Sequence, residues 1–140
     1  MRICGCEISA QEVRLAVVYF DDNAQIAKLP LTMTRIEISD DTLDEDIKSC
    51  LAEMQAFAAA HKIDTFMIKS RARKGRMAGG PATFKLETLL QLVNGTNTGF
   101  VHAATLAAFA KKEISDYPDK LPVYLKHAYS AGVYGLAKLS

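Results

Sequence analysis

Residues 42–68, TLDEDIKSCLAEMQAFAAAHKIDTFMI, decide the architecture. Leu43, Ile47, Cys50, Leu51, Met54, Phe57 and Ala58 recur at helical spacing, which predicts a helix over 42–60. Thr42 and Glu45 fit a capping box, and Asp40, Asp41, Asp44 and Asp46 suit the positive end of the helix dipole. That acidic run reads as a helix start rather than a metal site. Residues 63–68 form a short apolar strand. With a strand on either side of the helix, the segment is a parallel crossover unit. Upstream, residues 2–9 and 13–20 read as two strands joined by a short turn at 10–12 and paired antiparallel. Residues 32–38 read as a third strand, with Pro30 marking its approach or a bulge. Downstream come a helix over 82–93 with Pro81 at its first position, a strand over 99–102, a short helix over 105–112 and a final helix over 123–139.

The expected fold is therefore α/β, a mixed sheet of five strands with helices on both faces, in one domain spanning 1–140. A chain of 140 residues buries enough surface to fold without disulfides or metal. It contains no run of about 18 apolar residues, so no transmembrane helix is expected. The opening MRICGCEIS reads as a strand rather than a signal peptide, which makes a cytoplasmic location the default. The three cysteines, Cys4, Cys6 and Cys50, do not form a secreted disulfide pattern. Cys4 and Cys6 share one face of their strand and read as small core residues, since no His or further Cys stands at metal-ligand spacing.

Charge is concentrated in one place. Residues 69–76, KSRARKGR, hold five Lys or Arg in a chain whose net charge is +1. Gly79, Gly80 and the start of the following helix come next. Basic side chains feeding a helix N-terminus favour an anion through both charge and free backbone N–H groups. Arg71, Arg73, Lys74, Arg76, Gly79, Gly80 and Lys85 are the candidate anion-binding residues. Without a ligand this loop is expected to be exposed and mobile, because close positive charges repel. No Walker A loop, Rossmann fingerprint or nucleophile elbow is present. His61 suits the end of its helix, His102 follows a strand, and the tyrosines at 124, 129 and 134 have spacings suited to packing.

The element order resembles that of the RNase H-like fold. Ile3-Cys4-Gly5-Cys6-Glu7 is similar to the first strand of RuvC-type Holliday junction resolvases, in which an apolar-Gly-apolar run leads to a catalytic acid. The stretch KGRMAGGPATFKLE, residues 74–87, resembles a small uncharacterised bacterial family of the same fold group. The resemblance implies a nuclease ancestry in which carboxylates on the first strand, the fourth strand and the last helix hold Mg²⁺. This chain departs from that pattern. Glu7 is present, but Lys69 and Ser70 stand where the fourth strand has its acid. The last helix, from Leu125 through His127 to Ala131, offers no carboxylate at all.

These departures define three functional readings. The first is a catalytically degenerate protein that uses the basic loop to bind DNA, RNA or another phosphate-bearing partner, with Glu7 as a catalytic remnant and no cofactor. The second is a divergent Mg²⁺-dependent nuclease or resolvase using Glu7 with Glu87. The third is a non-catalytic interaction module whose basic loop meets an acidic protein surface, such as the first helix of a neighbouring copy in a homodimer. In every case Glu7 is expected to face the last helix, with Lys69 or His127 as its partner and Ser70 and Glu87 as further neighbours.

Overall fold

Apolar residues alternate along the first strand in two sets, and each set meets a different helical layer. The computed structural model describes residues 1–71 and 79–140. Strands β1 (Ile3–Ser9), β2 (Glu12–Phe20), β3 (Ile26–Lys28) and β4 (Arg35–Glu37) come first, followed by α1 (Asp44–His61), β5 (Thr65–Ser70), α2 (Pro81–Gln91), β6 (Asn97–His102), α3 (Ala103–Glu113) and α4 (Lys126–Leu139). A single 3-10 turn, Val123–Leu125, leads into α4. The sheet order is β3-β2-β1-β5-β6, with β4 paired to the other end of the β2 edge that β3 occupies. β1 and β2 are antiparallel, whereas β1–β5 and β5–β6 are parallel.

Cys4, Cys6 and Ile8 of β1, Val13, Leu15 and Val17 of β2, and Phe66 and Ile68 of β5 pack against α1 and α2. Ile3, Ala16, Val18 and Met67 point the other way and meet α3 and α4. This is the two-residue period of a sheet covered on both faces. The three cysteines are free and buried in the first of these layers. Among the described residues, no helix is long and apolar enough to cross a membrane.

Helix α4 lies unusually close to β1. A Cβ on Gly5 would overlap the Ala128 carbonyl oxygen and the Gly132 amide nitrogen. Gly5 therefore has a specific use: it lets the helix backbone rest directly on the strand. The helix start is then held over the strand end, where Glu7 sits.

Two local expectations fail. The third strand expected over 32–38 is only the three-residue β4, and a further three-residue strand, β3, precedes Pro30, giving six strands rather than five. Each pairs with a different end of β2: Ile26–Lys28 with Phe20 to Val18, and Arg35–Glu37 with Arg14 to Glu12. Proline supplies no N–H for a continuous ladder, so the chain breaks there. The capping box is also absent. The N-cap of α1 is Leu43, without a side-chain cap, and Thr42 instead donates its hydroxyl to Asp40 Oδ1 at 2.6 Å.

Candidate functional site

The two-residue link Ala10–Gln11 sets the β1–β2 register and places Glu7 opposite Arg14. Parallel pairing on the other side places Glu7 opposite Lys69. Arg14 in turn faces Arg35 of β4. Arg35, Arg14, Glu7 and Lys69 thus form one cross-strand row on the face that α4 covers. With strands about 4.8 Å apart, the row spans about 14 Å.

At its centre Lys69 Nζ lies 3.1 Å from Glu7 Oε2, and His127 Nδ1, from the first turn of α4, lies 2.9 Å from the same oxygen. Lys69 Nζ and His127 Nδ1 are themselves 2.6 Å apart. Arg14 Nη1 reaches Glu7 Oε1 at 3.7 Å. One carboxylate therefore gathers three nitrogen-bearing side chains. Burial pushes the Glu7 carboxyl up, but the hydrogen bond and charge of Lys69, followed by those of His127, outweigh it and hold the carboxyl below its ordinary value.

The sign of the resulting pH effect follows directly. A depressed folded value means that the unfolded chain takes up the proton more readily. Glu7 thus contributes stability above its unfolded value of about 4.3, and loses it as pH falls through the folded one. Urea unfolding of Glu7→Gln between pH 6 and pH 3 should show a flatter acid limb than wild type. Parallel curves would show that Glu7 is not held in this way.

Around this centre, Arg35 Cζ stacks 4.2 Å from the Tyr124 ring centroid, and Arg14 Cζ stands 5.8 Å from it. Glu12 pairs with Arg14 at 2.9 Å and with Arg35 at 3.7 Å. Glu7 and Glu12 offset two of the three cations in the row. Lys126 beside His127 and Arg71 beyond the end of β5 add to the positive charge that remains. Two grooves flank Lys69. One takes in Glu7, Ser9, Ser70 and Arg71, and the other runs between α3 and α4.

Of the residues singled out from the sequence, Glu7, Lys69 and His127 meet. Ser70 lies one residue along β5, with its Oγ 3.4 Å from His102 Nδ1. Glu87 does not join them. It is buried on α2, whose apolar side packs on the opposite face of the sheet. Among the anion-binding candidates, Arg71, Gly80 and Lys85 line one shallow groove at the start of α2. Gly80 is the N-cap, Gly79 precedes it, and Lys85 pairs with Asp41 at 3.3 Å. Arg73, Lys74 and Arg76, and with them the expectation of a mobile loop, lie outside the described residues.

Arg14, Arg35, Tyr124 and Lys126 were not anticipated as site residues. Arg14 could have been found by counting back across the two-residue hairpin. Tyr124 belongs to the 3-10 turn before α4 and stacks on arginines instead of packing within the helix.

The residues present do not fit the Mg²⁺ of the nuclease reading. Mg²⁺ needs several oxygen ligands, and here an ammonium occupies the space beside the one central carboxylate. Among the described residues, no group of three or more His, Cys, Asp or Glu could hold a metal ion.

Solved structures share this architecture. The Thermus thermophilus RuvC in complex with Holliday junction substrate is 12% identical at a TM-score of 0.69, covering 100% of this chain and 97% of that one. The fowlpox virus Holliday junction resolvase is 13% identical at 0.60, with 100% of both chains covered. The yeast mitochondrial Holliday junction resolvase is 8% identical at 0.54, covering 99% of this chain and 68% of that one. At such identities the likeness shows the fold, which is the RNase H-like one. No curated protein matches the chain. A family model matches residues 1–134, nearly the whole chain, and the chain therefore belongs to the family described as protein of unknown function DUF3010.

Proposed function

We propose that this chain binds nucleic acid through the positive face around Lys69 and the basic run that follows it, and that it does not cleave what it binds. The observation that carries this reading is the position of the Lys69 ammonium, 3.1 Å from the one carboxylate at the centre of the site. A lysine there supplies the positive charge that a phosphate needs, and it opposes the divalent cations that hydrolysis in this fold requires. The resolvase names of the similar structures point to the same class of partner. Arg35, Arg14 and Lys69 lie in register, Lys126 and Arg71 extend the positive face, and Arg73, Lys74 and Arg76 follow Arg71 closely in the sequence. Contacts of this kind position a phosphate backbone without reading its sequence.

The test is a binding titration against DNA and RNA across a range of salt concentrations. Affinity should fall steeply with salt. Arg73→Ala/Arg76→Ala should lower the logarithmic salt slope by about two, one for each lost phosphate contact. Absence of binding at low salt would overturn the reading and favour a protein partner for the basic run. Binding that the double variant leaves unchanged would remove those two residues from the interface.

A further inference from the structure

The groove between α3 and α4 has a chemistry that the row of cations does not explain. It encloses about 370 Å³ and shares Lys69 and Ala103 with the groove beside Glu7. A space of this size suits one small planar ligand. Lys69, Lys126 and His127 lie along its length, and Tyr117 and Ser130 complete its polar lining.

The hydrogen bonds fix what that polar lining offers. Ser130 donates its only hydroxyl proton to the Lys126 carbonyl at 2.8 Å. Tyr117, whose oxygen lies 3.1 Å from Ser130 Oγ, must therefore be the donor in that pair. Its phenolic oxygen keeps its acceptor capacity. Lys126 Nζ stands 4.8 Å from the Tyr117 ring centroid, which holds the ammonium beside the groove. The opposite wall is apolar: Ala103, Ala107 and Ala110 fall on one face of α3.

The groove thus combines ammonium groups, an acceptor oxygen and a flat apolar wall. We infer that it takes one unpaired nucleotide of a bound strand. The base lies on the alanine wall and donates an N–H to Tyr117, and its phosphate meets Lys69 and Lys126. A paired and stacked base cannot enter such a slot, so the face should prefer single-stranded over duplex nucleic acid. This inference rests on the nucleic-acid reading and specifies the strand form that the same site takes.

Fluorescence anisotropy separates the two. The probes are a labelled single-stranded oligonucleotide and a blunt-ended duplex with the same number of phosphates, at one salt concentration. Wild type should bind the single strand several-fold more tightly, because only an unpaired base gains the apolar and hydrogen-bond contacts of the groove. Ala107→Trp fills the groove from an exposed helix position. It should abolish that preference while leaving duplex affinity within about twofold. Tyr117→Phe removes the hydroxyl, and with it both the acceptor and the bond to Ser130; it should weaken only single-strand binding, which keeps the inference testable if the Trp variant unfolds. Equal wild-type affinity for the two probes, or a preference that survives in both folded variants, overturns the groove inference and leaves the nucleic-acid reading standing. Failure of wild type to bind either probe at low salt overturns both.

Discussion

Gly5→Ala should be among the most damaging single-methyl additions to this chain. The new Cβ would meet backbone, not a flexible side chain: the Ala128 carbonyl and the Gly132 amide. Only a displacement of α4 or a distortion of β1 relieves that overlap. Overpacking of this kind costs about 3 kcal/mol at its upper range, which corresponds to a melting point lower by about 10 °C in a domain of this size. Gly99→Ala is the informative control. Its Cβ would lie 2.7 Å from Met67 Cε, the far end of a flexible side chain that can turn aside. Alanine also gains about 0.5–1 kcal/mol over glycine inside a strand. That variant should melt within a few degrees of wild type. If Gly5→Ala melts as wild type does, α4 does not rest on β1 as described, and His127 loses its support over Glu7.

Lys69→Glu should invert the electrostatics of the site. It places a second carboxylate beside Glu7, with His127 still present. Two neighbouring carboxylates repel, so the variant should be less stable than wild type near neutral pH. Those carboxylates and the imidazole are also suitable ligands for Mn²⁺. Millimolar Mn²⁺ should then raise the variant's melting temperature and leave that of wild type unchanged, because a ligand that binds only the folded state stabilises it. A wild-type melting point that rises as much as the variant's would mean that Lys69 does not exclude the metal. A variant indifferent to Mn²⁺ would mean that the site cannot assemble around a cation at all.

The fold was legible where apolar periodicity runs long enough to register. Seven residues of β1, nine of β2 and eighteen of α1 carry their patterns plainly. Three-residue strands carry no periodicity, so β3 was not read at all and β4 was read too long. The capping box failed because Asp40, two residues earlier, competes for the Thr42 hydroxyl. At the site, Glu7 and Lys69 could be read together only through the family resemblance, in which the first and fourth strands both carry site residues. His127 depended on where the last helix crosses, and the family resemblance supplied that. Tyr124 and Tyr117 could not be read, because a 3-10 turn and a loop carry them to Arg35 of β4 and Ser130 of α4 along paths that leave no sequence pattern.

Nucleic acid held on this face should stay intact. Binding and strand integrity are followed in the same samples, with end-labelled branched, duplex and single-stranded DNA and RNA, in Mg²⁺ or Mn²⁺. Retarded, full-length nucleic acid is expected in every lane where the protein binds. Divalent-dependent cleavage that survives exhaustive purification and disappears in Glu7→Gln would contradict it.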